Sequence, residues 1–104
     1  MTIATANVTT VAGNVYASGG NTVVTFLSLC NYSLSNVQAN VWVVPAGGSA
    51  GNLTAAISNL EIPAGDTYQF YVGNEKLILG NNDAIVANAG ANNSITVITS
   101  YTSA

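Results

Sequence analysis

Apolar and polar residues alternate along most of the chain, and clusters of Gly, Asn, Ser and Pro interrupt the alternation every eight to twelve residues. Alternation with period two marks half-buried strands, and the clusters mark turns. Residues 37–44 show the pattern most cleanly. Val37, Ala39, Val41 and Val43 fall on one face, and Gln38, Asn40, Trp42 and Val44 on the other. Residues 94–101 bring Ile95, Val97, Thr99 and Tyr101 onto a single face. Residues 22–30 are apolar on both faces, with Val23, Thr25, Leu27 and Leu29 set against Val24, Phe26, Ser28 and Cys30. That pattern predicts a central strand covered on both sides. Shorter strands are predicted at 15–17 and 84–89, and the Gly-Gly-Asn turn between 15–17 and 22–30 signals a hairpin. Residues 53–60 fit a strand or a single helical turn, and periodicity does not choose between them.

Residues 60–79 read as strand, tight turn, strand. They hold three of the four acidic residues and the single basic one. Pro63 and Gly65 supply the fixed and left-handed backbone angles of one turn, and Gly73 those of the next. Between them, residues 67–72 are dense in aromatic and β-branched side chains, which suit a packed strand. No internal repeat or linker divides the chain. It is expected to form one domain over residues 1–104, with 1–12 as an edge strand or N-terminal arm. The predicted fold is an all-β antiparallel β-sandwich, jelly-roll or immunoglobulin-like, of about 7–9 short strands.

Composition changes this picture in one respect. Charged residues make up 5% of the 104, against about 25% in ordinary soluble domains, and none occurs in the first sixty positions. The surface must therefore be built from Thr, Ser, Asn and Gly. A net charge of −3, with no Arg and no His, offers no footprint for nucleic acid. No basic leader opens the chain, and no apolar run reaches the roughly 18–20 residues that span a bilayer. Synthesis in a cytoplasm, with no membrane partner, is the expectation. N-x-S/T sequons at Asn7, Asn31, Asn52 and Asn92 are read as products of the Asn- and Thr-rich composition.

Chemistry is scarce. Without His, neither a Ser-His-Asp nor a Cys-His arrangement can be assembled within the chain, and one Cys cannot fill a zinc shell. Cys30, in an apolar strand, is expected to be a small core residue. Glu61 and Asp66 flank a turn, where chains place solvated charge. Calcium held by Asp66 and Asp83 would lack a D-x-D-x-D-G loop. Lys76 could in principle form an isopeptide with Asn, but Glu75, its neighbour, would point to the opposite face of a strand. No catalytic residue, cofactor or metal is expected. Tyr16, Tyr32, Trp42, Tyr68, Tyr71 and Tyr101 could form a sugar-stacking platform, or could simply fill a small β core and its interfaces.

The stretches N-T-V-V-T-F-L-S-L-C-N-Y-S (21–33), V-W-V-V-P-A-G-G-S-A (41–50), and L-E-I-P-A-G-D-T-Y-Q-F running on to E-K-L-I-L-G-N-N-D-A-I (60–85) resemble small virion structural proteins of tailed bacteriophages. The likeness covers roughly residues 21–101. It implies a β-sandwich that decorates or cements a capsid, or joins the tail, neck or fibre, as a homo-oligomer, with a trimer as the expected form. Partners would be copies of itself and the major capsid protein or other virion subunits. The implied location is the virion. The resemblance carries over no functional residue. Trp42, Gly47, Gly48, Tyr68, Tyr71 and Tyr101 are the interface candidates, chosen as aromatic or flexible positions. A glycan-binding adhesin is the competing expectation.

Overall fold

A computed structural model describes residues 2–51, 53–70 and 77–103. The expectations for Asn52, Tyr71, Glu75, Lys76 and the turn at 72–75 lie outside the described residues. Nine strands occur among those described: β1 (Thr2–Val8), β2 (Gly13–Ala17), β3 (Thr22–Asn31), β4 (Val37–Val44), β5 (Ala55–Ile62), β6 (Thr67–Phe70), β7 (Leu77–Leu79), β8 (Ala84–Ala89) and β9 (Ile95–Ser103). They form two antiparallel sheets, so the chain is an antiparallel β-sandwich. Sheet I has the order β1-β9-β3-β6, with β7 also pairing β3, and sheet II the order β2-β8-β4-β5.

The pairings are nested. β4 pairs with β5, β3 with β6 and β7, β2 with β8, and β1 with β9. A long antiparallel ribbon folded over on itself gives this order, which defines a jelly roll and differs from that of an immunoglobulin sandwich.

The hairpin predicted at Gly19-Gly20-Asn21 is not a hairpin. β2 and β3 lie in different sheets, so residues 18–21 form a corner between sheets. Ser18 is buried there, with its Oγ bonded to the Gly20 carbonyl and to Thr22 Oγ1, and its backbone is tied to the turn at 80–83 instead of closing on a partner strand. β6 and β7 do not pair with each other. Both run antiparallel to β3, one after the other, and so share one direction. Residues 53–60 resolve as strand, β5, entered through a turn in which Thr54 N–H bonds to the Gly51 carbonyl. β2 begins two residues before the predicted strand at 15–17, at Gly13.

Register decides which side chains meet in the core. A bulge at Thr25 shifts β3 against β9, so Val24 opposes Tyr101 while Leu27 opposes Thr99. One extra residue reverses the facing of everything beyond it. The inward set is therefore Val24, Leu27 and Leu29, and Val23, Phe26 and Cys30 turn outward, where they remain half-buried. β3 is central in its sheet as expected, but its outer face is not sealed to the same degree. Cys30 is a half-buried outer residue, not a core one.

Inside, Leu27, Leu29, Ile95 and Val97 of sheet I share one cluster with Ala39, Val41, Ile85 and Ala87 of sheet II. Small residues of one sheet accommodate large ones of the other, which allows close packing. Thr99 is the exception within this face. Its Oγ1 is fully buried and has no hydrogen-bond partner. Thr99→Val should raise stability by about 1 kcal/mol, because it removes an unsatisfied polar atom while keeping the shape. Urea denaturation would read the gain, and a loss of stability would mean the hydroxyl has a partner in solution.

Candidate interaction surface

Each end of the sandwich is organised by one polar side chain. At one end, Asn31 closes β3 and is completely buried. Its Nδ2 donates to the Ser35 and Ile62 carbonyls at 2.8 Å each. Its Oδ1 accepts from Ser33 N–H at 3.0 Å and from Ser33 Oγ at 2.7 Å. Asn31 N–H reaches the Asp66 carbonyl, and Gly65 N–H reaches the Asn31 carbonyl. Gly65 holds φ at 76°, which places that N–H. One residue thus ties the corner at 32–36 to the corner at 63–66. Burial of the Asn31 amide also removes that sequon as a glycan acceptor.

At the other end, Asp83 does the equivalent work with charge. Oδ2 accepts from Gly80 N–H and Oδ1 from Ala46 N–H, both at 2.8 Å. The Asp83 carbonyl accepts from Ser18 N–H, and Asn82 N–H donates to the Ser18 carbonyl. Three loops, at 18–21, 45–51 and 80–83, are therefore joined. Both carboxylate oxygens of Asp83 have structural partners. Asp66 lies at the far end of β3, roughly 30 Å away by strand length. The pair cannot share a cation. No group of three or more Asp, Glu or Cys residues suited to a metal occurs among the described residues.

The interface candidates fall in separate places. Trp42 is half-buried on the outer face of sheet II, packed against Val44, Ala84 and Val86. Gly47 and Gly48 lie in the loop folded over that cluster. Gly47 has φ 78°, and Gly48 N–H bonds to the Pro45 carbonyl. Val44, Ala84 and Val86 floor a shallow depression of about 360 Å³ that this loop borders. The structure thus brings Trp42 and the glycine loop to one surface. Tyr101 is on the other sheet and stacks on Tyr16, with ring centroids 4.5 Å apart at 41°. Tyr68, opposite Leu29 on β6, is 41% exposed at the sandwich rim. Tyr32 sits over the outer side of sheet I, where its hydroxyl accepts from Asn7 Nδ2 at 2.8 Å. These described aromatics occupy different faces and do not form a row.

Reading side chains singly did not single out the outer face of sheet I. Val23, Phe26 and Cys30 of β3, Ile98 and Ser100 of β9, and Ile3 and Thr5 of β1 line it, half-buried or exposed. Ile78 extends it at the opposite edge, 71% exposed. None of these residues is charged. The bulge at Thr25 creates this face by turning Phe26 outward, and a bulge leaves no mark in simple alternation. The double-faced apolar pattern of residues 22–30 was the available signal.

Comparison with protein-family models, with curated proteins and with solved structures found no significant match.

Proposed function

We propose that this chain is a non-enzymatic structural subunit of a virion, working through protein–protein contacts, with capsid decoration or cementing as its role. One observation carries the proposal: a small jelly roll in which the outer face of sheet I is uncharged and half apolar among the described residues. Jelly rolls recur in viral capsid domains, and exposed apolar patches on small proteins mark contact sites. The resemblance over residues 21–101 points the same way. A neutral surface lets many copies sit close together without mutual repulsion, and it contributes little binding energy that salt could screen.

Co-sedimentation with undecorated capsids of the encoding virus tests the proposal. The expected result is saturable binding that persists as salt is raised. Binding that collapses with salt would require charged contacts that this surface does not hold. A defined oligomer that ignores capsids but binds tail or neck assemblies would move the subunit there. Failure to bind any particle, with sugar-dependent quenching of Trp42, would replace the proposal with glycan recognition.

A further inference from the structure

A sandwich of two open sheets has four edges, and natural β proteins block such edges with short strands, bulges, charges or proline. Both edges of sheet II are blocked here. β2 is five residues long, and its register shifts between Asn14 and Tyr16. β5 is irregular at two points along β4, turns through Asn59 at φ 54°, and carries Glu61. The edge of sheet I opposite β1 is described over β6 and β7 only. β1 differs. Its seven residues pair with β9 without a shift, and T-I-A-T-A-N-V contains no charge, Pro or Gly. Every second residue of an edge strand turns its N–H and C=O away from the sheet, ready to pair.

We infer that β1 is a self-association edge that pairs antiparallel with β1 of a second copy about a two-fold axis. The centred register uses all seven residues. It sets Thr5 opposite Thr5, Ala4 opposite Ala6 and Ile3 opposite Asn7 of the second copy. Thr–Thr pairs are among the favourable cross-strand combinations. In this register, inward-facing residues oppose inward-facing ones, so the two sandwiches lie on the same side of one continuous sheet. The two outer faces, with Ile3, Ile98 and Phe26 in each, then run together. Charge selects a second copy as the occupant. β1 and the face beside it hold no ionic group to attract a charged partner and none to repel a copy. A two-fold contact is also self-complementary by construction, which closes the assembly and uses up the edge.

The inference deepens the structural-subunit proposal by naming the contact between copies. Sedimentation equilibrium of the full chain, unaltered and with Thr5→Lys or Thr5→Glu, tests it. Thr5 is exposed, and circular dichroism checks that both variants keep the fold. The unaltered chain should form a dimer, and each variant alone should associate roughly five- to tenfold more weakly, since like charges then face each other across the axis. An equimolar mixture of the two variants should recover association, because Lys then faces Glu. Ile78→Lys, on the same outer face at the opposite edge, should leave the dimer unchanged. A monomeric unaltered chain, a trimer indifferent to Thr5→Lys, or a dimer dissolved by Ile78→Lys would each overturn the inference. A monomer that still binds capsids saturably would remove this contact and leave the subunit role standing.

Discussion

Asn31→Ala should lower the unfolding free energy by about 3 kcal/mol and the midpoint of thermal unfolding by roughly 15 °C. The amide makes four hydrogen bonds from a site with no solvent access. A typical hydrogen bond contributes about 1 kcal/mol net, but a group left buried and unpaired costs about 1–3 kcal/mol. Truncation strands the Ile62 carbonyl in particular, because Ile62 is itself 2% exposed and water cannot replace the lost donor. Asn31→Asp keeps the shape but sets an oxygen where Nδ2 faced two carbonyls, and should be at least as damaging. Urea denaturation monitored by Trp42 fluorescence would measure both. A loss well under about 1 kcal/mol for the Ala variant would mean that the two corners hold together without this residue.

Asp83→Ala should cost about 2 kcal/mol, and it should do so locally. Hydrogen bonds that a carboxylate accepts from backbone N–H groups are stronger than neutral ones, and here two of them hold separate loops. Because Ala46 N–H loses its acceptor, the loop carrying Gly47 and Gly48 should loosen over Val44 and Val86. Asp83→Asn, which keeps one good acceptor oxygen, should retain about half of the stabilisation. Hydrogen exchange distinguishes this from global weakening. Protection at Ala46 and Gly80 should fall well before that of Leu27 and Leu29 in β3. Uniform loss of protection would contradict a latch.

Part of the fold was legible in the residue pattern, because β4 and β9 bury one face and the period of two shows it. β4 and the inward residues of β9 follow directly from alternation, and β8 from the turn signals on either side of a run of small residues. The partnering of strands was not legible. Gly19-Gly20-Asn21 carries hairpin chemistry, yet Ser18 and Thr22 bury their hydroxyls against each other and turn the chain between sheets. Nothing local in the sequence records that Ser18 answers to Asp83, 65 positions away. The bulge at Thr25 has the same character, since Thr is an ordinary strand residue and only pairing with β9 shows the extra position. Asn31 left a fainter trace. Asn two positions before Ser, at the end of an apolar run, is the signature of a side chain that bonds the next backbone N–H groups. Its reach to Ile62 depends on tertiary structure. Of the interface candidates, Trp42 and Gly47–Gly48 converge on sheet II, while Tyr68 and Tyr101 serve the rim and the Tyr16 contact. None of these residues belongs to the outer face of sheet I, which is uncharged among the described residues.

Cys30 provides the most direct test of whether that surface is the working one. It is the only thiol in the chain, half-buried on the outer face of sheet I beside Thr67 and Thr96. Its rate of reaction with a small maleimide can be followed for the free protein and for protein bound to capsids at saturation. If sheet I docks on the particle, labelling should slow by about tenfold or more on binding, as local access becomes limited by release. Equal rates in the free and bound states would place the contact elsewhere and contradict the assignment of this face.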